Sequence, residues 1–284
     1  MTGWIDPDFP KTATPSGRVG RVLGLNPGPL TGPGTNTYLV GVRDPVLIDT
    51  GAGAAGYPAV LDAYLAARGL GRPSRIVLTH RHRDHMGGVA QLRERFPDIP
   101  VAKMRHRDPA LPEPVADLRD GQAVHASDAT LIPIHTPGHA SDHLCYYLLE
   151  EQALFTGDLI LGGSTTVIPP DDGDLGDYLR SLERVRELDV RRIYPAHGPV
   201  IEDPRERIRE YVEHRLERER QILEVLGGGP TAIPDIVAAI YADVSRALHG
   251  AAAMSVESHL RKLAREGRVR EHLRPHDASR WELA

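Results

Sequence analysis

Residues 75–88 read Arg-Ile-Val-Leu-Thr-His-Arg-His-Arg-Asp-His-Met-Gly-Gly. The apolar half predicts a β-strand over 75–79, and the polar half places four metal-binding residue types within six positions. Alternation of an extended chain would put His80 and His82 on one side, whereas Asp84 and His85 stand where a helix is expected to begin. Four such residues on two faces suit two adjacent metal ions better than one. Loop histidines beside a capping aspartate are the alternative, which this spacing disfavours.

Three further segments end predicted strands on residues that bind metals. The first ends on His139, the second on Asp158, and the third contains His197. Loops that follow strands of a rigid scaffold often carry functional residues. Each residue alone could be an ordinary turn aspartate or surface histidine. Together with residues 80–85, however, they favour a single metal site.

The composition limits what could hold a metal. The 284 residues include 14 histidines and a single cysteine, so disulfide frameworks and cysteine-rich zinc sites are excluded. Histidine and carboxylate side chains would have to be the ligands. The net charge is −5, so no overall basic field attracts nucleic acid or an anionic membrane.

The ends and apolar runs of the chain give no targeting signal. Residues 1–10 lack the basic and apolar regions of a signal peptide, and no apolar run approaches the roughly 18 residues that span a bilayer. We therefore expect a cytoplasmic protein without a membrane partner. Its oligomeric state is not predicted.

The first 200 residues alternate short apolar runs with helical patterns, which predicts a mixed α/β domain. The predicted strands are Thr37–Val42, Pro45–Ile48, Arg75–Thr79, Thr130–Ile134, His143–Leu149 and Ala153–Phe155. The predicted helices are Tyr57–Arg68, Met86–Phe96 and Leu175–Leu188. Residues 105–121 are polar and contain proline, which predicts a loop.

The composition changes after Pro204, so we predict a catalytic domain over 1–203 and a second domain over 204–284. An amphipathic helix is expected at Arg205–Leu226, then a helix capped by Thr231 that extends to Val244, and a third helix that ends at Gly267. Two short strands around a turn at Pro275–Ser279 would follow. Three helices and a small hairpin are the plan of a winged helix.

The ordered histidines and aspartates resemble the signature of the metallo-β-lactamase superfamily, whose αββα sandwich carries a dinuclear site. The chain looks most similar to the β-lactamase-like protein 2 family, which is related to glyoxalase II. The matching segments are Asn26–Pro29, Gly34–Val40, Gly157–Gly162, Thr165–Val167 and Tyr194–Ile201.

The resemblance implies a ligand set for two zinc ions, although iron or manganese also fits such ligands. One ion would be held by His80, His82 and His139, and the other by Asp84, His85 and His197. Asp158 would bridge the ions. Asp49 would not bind metal itself but would hold the loop that carries His80, His82, Asp84 and His85.

Such a site points to hydrolysis by a metal-bridging hydroxide, with Asp84 as the general acid and base. No side-chain nucleophile is then needed, and Cys145 is expected in the core. The substrate we favour is a small acyl ester or thioester. An acidic bridge at Asp158 argues against β-lactam hydrolysis, and the 38 residues between Asp158 and His197 leave no room for the inserted domain of RNA-processing nucleases.

Two other functions stay open at this point. A single-strand RNA endonuclease would use a modest basic patch, unless that face only packs over the site. The patch consists of Arg261, Lys262, Arg265, Arg268 and Arg270. A winged-helix regulator would use the metal domain as a sensor without turnover. Arg81 and Arg83 beside the ligands could attract an anionic part of a substrate.

Overall fold

Two β-sheets stack face to face between two layers of helices in the computed structural model, which describes residues 4–105, 115–229, 231–272 and 279–284. The space between the sheets is filled by apolar side chains, among them Tyr38, Ile48, Tyr146 and Phe155. This layering confirms the predicted αββα sandwich.

The first sheet has seven strands in sequential order. They are β1 Thr12–Ala13, β2 Val19–Leu23, β3 Asn36–Val40, β4 Val46–Ile48, β5 Arg75–Val77, β6 Val101–Lys103 and β7 Ala116–Asp117. Strands β1 to β4 pair antiparallel, and β4 to β7 pair parallel. Parallel pairing brings the carboxyl ends of β4 and β5 to the same edge.

The second sheet has five strands in the order β12, β11, β10, β9, β8. They are β8 Val124–His125, β9 Thr130–His135, β10 Leu144–Leu148, β11 Ala153–Gly157 and β12 Arg192–Pro195. Strands β11 and β12 are parallel, and the other pairs are antiparallel. Consequently β9, β11 and β12 run in the same direction and end at one edge.

Each sheet covers its outer face with helices. On the first sheet lie α1 Tyr57–Ala67, α2 Arg83–Met86 and α3 Val89–Arg95, with Leu61 and Leu92 buried against Leu47 and Ile76. On the second lie α4 Leu175–Arg186 and the start of α5 Pro204–Leu226. Asp174 and Asp203 cap α4 and α5 by accepting backbone N–H groups three residues on, at 2.9 and 3.1 Å.

The C-terminal part is a winged helix, as predicted. It comprises the end of α5, α6 Ile233–Ile240, a 3-10 turn Arg246–Leu248, α7 His249–Arg265 and a small sheet of β13 Thr231–Ala232, β14 Val269–His272 and β15 Arg280–Leu283. Its core contains Ile236, Leu260 and Trp281.

Helix α5 serves both parts of the molecule. Ile208 and Tyr211 pack in the core under the second sheet, whereas Ile222 and Leu226 pack in the winged-helix core. The domain boundary near residue 203 therefore stays a prediction. Helix α5, which begins just after it, packs against both parts of the molecule.

The predicted helix Met86–Phe96 is wrong in its continuity, because Gly87 and Gly88 divide it into α2 and α3. A Cβ atom at Gly88 would lie 2.3 Å from the carbonyl oxygen of Thr50. The chain passes so close to residues 50–52 that it has to bend there.

The predicted cap Thr231 is also wrong. Thr231 pairs with Trp281 in the small sheet, and its hydroxyl donates to the Gly229 carbonyl at 2.8 Å, so it does not cap α6. Helix α6 ends at Ile240, short of the predicted Val244.

The predicted loop over 105–121 contains strand β7, because its residues extend the edge of the first sheet beside β6. Residues 106–114 of that prediction lie outside the described residues, as do residues 275–278 of the predicted turn Pro275–Ser279. Strand ends elsewhere differ from prediction by one or two residues. Among the described residues, no helix has both the length and the apolar content that crossing a membrane requires.

Candidate metal centre

All of the predicted site residues except the two arginines meet at one edge of the sandwich, where strands of both sheets end. Asp49 follows β4 and His80 follows β5, while His139, Asp158 and His197 follow β9, β11 and β12. His82 precedes α2, and Asp84 and His85 lie within it. The short helix turns the chain so that neighbouring residues face two different places.

The first cluster, called the three-histidine group, contains His80, His82 and His139. The Nε2 atoms of His80 and His139 each lie 2.9 Å from Nδ1 of His82. Nδ1 of His139 faces the Val167 carbonyl oxygen at 2.6 Å, so Nδ1 carries the proton and Nε2 presents a lone pair. The tautomer of this ring follows from its hydrogen bond.

His80 has the same tautomer. The Thr79 hydroxyl donates to Oδ2 of Asp49 at 2.8 Å, so its oxygen accepts the Nδ1 proton of His80 at 3.0 Å. The Nε2 lone pair of His80 therefore also points at Nδ1 of His82. A single proton on that nitrogen could be donated to only one of the two neighbouring lone pairs. A cation would satisfy all three rings at once.

The second cluster, called the mixed group, contains Asp84, His85 and His197. Oδ2 of Asp84 lies 3.3 Å from Nε2 of both His85 and His197. The other ring nitrogen of His85 donates to Oδ2 of Asp49 at 2.8 Å. Nε2 of His85 is buried and makes no hydrogen bond within the described structure, which leaves a nitrogen aimed into the cluster.

Asp158 stands between the two groups with one oxygen towards each. Its Oδ1 lies 3.4 Å from Nε2 of His85 and 3.2 Å from that of His197, and its Oδ2 lies 3.4 Å from Nε2 of His139. Oδ1 is buried and lacks a hydrogen bond among the described residues. A carboxylate with one oxygen facing each cluster has the arrangement that a bridging ligand needs.

The three-histidine group is held in its neutral form. Burial, reinforced by the proximity of His139, lowers the pKa of His82 to about 4. Burial also lowers the pKa values of His80 and His139 below their usual range. Neutral imidazoles are the form that binds metal ions.

The mixed group has the opposite electrostatics. Burial acts to lower the pKa of His197, but Asp158 outweighs it and raises the pKa to about 9. The pKa of His85 is raised in the same way, with Asp84 and Asp158 overcoming burial. In return, His85 keeps the pKa of Asp84 below its usual range even though burial opposes it. The protons on His85 and His197 thus stabilise the Asp84 and Asp158 carboxylates in the way that a bound cation would.

The donor set fits a divalent metal. Converging lone pairs, an orphaned histidine nitrogen and an orphaned carboxylate oxygen are buried polar groups that would cost free energy if nothing bound them. Histidine and carboxylate ligands suit zinc, iron or manganese. Six residues in two groups, with Asp158 between them, therefore offer ligands for metal.

Asp49 supports both groups from a strained backbone. Its φ angle is +61°, in the left-handed region, and Oδ1 accepts the Thr79 backbone N–H at 2.8 Å. Strain of about 1–3 kcal/mol at such a residue persists only where the surroundings impose it. Its carboxylate contacts His85 directly and His80 through Thr79.

Two supporting residues were not predicted from the sequence. The Asn26 amide donates to Oγ1 of Thr35 at 2.9 Å, so the Thr35 hydroxyl donates onward to Oδ2 of Asp84 at 3.3 Å. Nε2 of His143 accepts the backbone N–H of Asp158 at 3.1 Å. Thr35 lies in a segment matched to the family, but only the folded contact shows its role.

The arginines beside the ligands differ from each other. Arg81 lies 3.3 Å from Oδ2 of Asp172, which also accepts the Ser141 backbone N–H at 3.0 Å. Arg83 is exposed. Arg81 therefore binds the loop 169–174, and of the two arginines only Arg83 is exposed to solvent.

The basic residues of α7 are engaged with carboxylates. Lys262 pairs with Glu219 and Glu266, and Arg265 pairs with Asp174. Arg261 donates to the Pro170 carbonyl and pairs with Glu257. Arg261 and Arg265 therefore attach α7 to residues 170–174, which precede α4. Cys145 is fully buried, as predicted.

The comparisons with known proteins agree with this architecture. Residues 30–197 match the model of the metallo-β-lactamase superfamily, and residues 232–281 match a β-lactamase-associated winged helix domain. A β-lactamase-like protein 2 homolog of Caenorhabditis elegans is 42% identical over 89% of this chain and 86% of its own length. An atrochrysone carboxyl ACP thioesterase of Aspergillus fumigatus is 41% identical over 78% and 68%.

Solved structures extend the likeness to nearly the whole chain. A metallo-β-lactamase family protein of Thermus thermophilus has a TM-score of 0.80 at 25% identity and covers 95% of this chain and 100% of its own. Another solved protein, TTHA1623 in a di-iron-bound form, is 32% identical with a TM-score of 0.51 over 64% of this chain and 93% of its own. The chain belongs to the metallo-β-lactamase superfamily and is one of its hydrolases.

Proposed function

We propose that this protein hydrolyses an acyl thioester with two divalent metal ions, of which zinc is the first candidate. The observation that carries the proposal is the placement of Asp158, one oxygen towards each ligand group. A pair of ions bound there would lower the pKa of a bound water and polarise the substrate carbonyl. Relatives named as thioesterases support a thioester over other acyl substrates.

The residues of the chain supply binding, orientation and proton handling. The three-histidine group and the mixed group would each hold one ion, and Asp158 would fix their separation. The Asp84 side chain is 27% exposed, compared with 12% for Asp158 and 2% for Asp49. Asp84 is therefore the carboxylate that a water from solvent reaches most easily.

Asp84 is the residue we assign to proton transfer. Its pKa lies below the usual range, so it is ionised, and the Thr35 hydroxyl fixes Oδ2, which lets Asp84 orient the attacking water. Although a low pKa makes a carboxylate a weak base, the pKa of a metal-bound water would be lowered too, so Asp84 would take up its proton only in passing. As the carbon–oxygen bond forms and the carbon–sulfur bond breaks, that proton passes to the leaving sulfur. The products are a carboxylic acid and a thiol. Exposed Arg83 would contact an anionic part of the substrate.

The RNA hypothesis has lost its main structural support. It depended on basic residues of α7. Lys262 and Arg265 are paired with carboxylates, and Arg261 donates to the Pro170 carbonyl. A regulator without turnover is set aside because the chain is a hydrolase of its superfamily.

The test is a parallel assay of metal-loaded protein on an aryl thioester, a lactone, a cephalosporin and a labelled single-stranded RNA. We expect the thioester to be hydrolysed fastest, and a chelator to abolish that activity. Metal analysis of protein purified without chelator should give two ions per chain. His139→Ala should lose the activity, whereas His125→Ala, at an exposed histidine, should keep it. No thioester hydrolysis together with turnover of another substrate would refute the proposal.

A further inference from the structure

Arg215 is a buried cation that forms no ion pair within the part of the chain that the structure describes. It lies in the middle of α5 and is 2% exposed, and among the described residues no carboxylate lies within ion-pair distance of its guanidinium. A buried unpaired charge costs several kcal/mol, about as much as several ordinary hydrogen bonds contribute. A cost of that size calls for an explanation in the contacts that Arg215 makes.

Those contacts lead to one loop. The guanidinium lies over the ring of Tyr178 at 5.0 Å from its centroid, and Nη2 donates to the carbonyl oxygen of Thr166. Tyr178 is itself fixed, since its hydroxyl donates to the Leu159 carbonyl at 2.6 Å. The guanidinium plane is therefore held from two sides, which suits the rigid fork of arginine better than a flexible lysine.

The loop that contains Thr166 supports two residues of the metal centre, His139 and Asp158. The Thr166 hydroxyl donates to the Asp158 carbonyl at 2.8 Å, and the next carbonyl, Val167, accepts from Nδ1 of His139 at 2.6 Å. Three consecutive links thus run from α5 to the ligands: Arg215 to Thr166, Thr166 to Asp158, and Val167 to His139. The first link comes from the helix that continues into the winged-helix core.

We infer that Arg215 is a positioning residue for the metal centre, through which helix α5 sets the orientation of His139 and Asp158. It touches neither the substrate nor an ion. It fixes the Thr166 carbonyl, next to the Val167 carbonyl that selects the His139 tautomer, and Thr166 in turn holds the backbone that carries the Asp158 carboxylate. The inference rests on the proposed function only in that the two ligand groups bind metal.

The experiment compares Arg215→Met with Arg220→Met, an exposed arginine about one turn further along the same helix. Metal affinity is measured by competition with a chelator, and the visible absorption of cobalt-substituted protein reports ligand geometry. We expect Arg215→Met to weaken binding about tenfold to 100-fold, as removal of a ligand's support does. Its cobalt spectrum should change as well. Arg220→Met should match the original protein in both measurements.

Arg215→Lys separates positioning from folding. It keeps the charge and the helix but loses the planar fork, so we expect a folded protein with intermediate metal affinity. If Arg215→Met does not fold, Arg215→Lys decides the matter, and unchanged affinity and spectrum in that variant overturn the inference. Loss of thermal stability with unchanged metal binding overturns it too. Two ions and thioesterase activity in the original protein keep the proposed function standing under either outcome.

Discussion

The three-histidine group and the mixed group lie on either side of one carboxylate, yet their charge states are opposite. Burial keeps His80, His82 and His139 neutral, while Asp84 and Asp158 keep His85 and His197 protonated when no metal is bound. The first group can bind a cation without losing protons, whereas the second must release them. Ligand type alone does not set metal affinity, because the surrounding charges decide whether protons must be released before the metal binds.

The largest expected effect comes from the residue that joins the groups. Asp158→Asn keeps the shape but removes the charge facing both clusters, so we expect activity to fall by roughly 10³-fold as several kcal/mol of charge stabilisation are lost. Metal content should drop from two ions towards one, retained by the three-histidine group. Kinetics and elemental analysis measure both. Asp177→Asn, at the surface of α4, is the control, and equal behaviour of the two variants would contradict a bridging role.

A smaller effect is expected at Asp49, which contacts His85 directly. Asp49→Asn tolerates the left-handed backbone but removes the charge that orients the ring, so the mixed group should lose about tenfold to 100-fold in affinity. The first ion should lose less affinity, because Asp49 reaches His80 only through Thr79 and Val167 still supports His139. Stepwise titration with zinc resolves the two events. Equal weakening of both would show that the groups are not independent.

The pH dependence of metal-free protein should reveal the protonated group. The pKa of His197 is raised above its ordinary value of 6.5 to about 9, so its stabilising contribution is complete below about 6.5 and is lost as the pH rises through 9. Chelated protein should therefore melt lower at pH 9 than at pH 7, by roughly 5 °C. His197→Gln should reduce that slope, the remainder belonging to His85, whose pKa is also raised, and metal-loaded protein should lack it. A flat profile in the chelated original protein would count against the assignment.

The smallest effect is expected at Thr35, whose hydroxyl reaches only the mixed group. Thr35→Val removes one hydrogen bond to Asp84, and about 1 kcal/mol corresponds to a several-fold loss of activity and of second-ion affinity. Thr35→Ser should restore both. An unchanged Thr35→Val variant would show that Asp84 is oriented by the remaining contacts.

The sequence alone was sufficient to predict which histidines and aspartates converge at the sheet edge, because these residues sit in compact motifs. Residues 80–85 contribute four of them within one turn, and the others each follow a strand whose apolar residues identify it. The sandwich and the winged helix followed from the same alternation of apolar runs and amphipathic helices. Residue spacing and strand ends therefore carry most of the information about this centre.

What the sequence did not predict depends on contacts between distant positions. Arg215 meets Thr166 across 49 positions, and Thr35 meets Asp84 across the same number. Thr231 looked like a cap because a threonine before an apolar helix is typical of one, but pairing with β15 took precedence. Edge strands of two residues, such as β7, have no periodicity to detect.

Helix α5 has a consequence for how the molecule unfolds. Its 23 residues place Tyr211 in one core and Leu226 in another, so neither core can be complete while the helix is frayed. A helix of that kind ties the two parts into one cooperative unit, and calorimetry should show a single transition. A chain ending at residue 203 would leave the apolar face under Tyr178 uncovered and prone to self-association. Evolutionary loss of the winged helix would therefore require a replacement for this helix first.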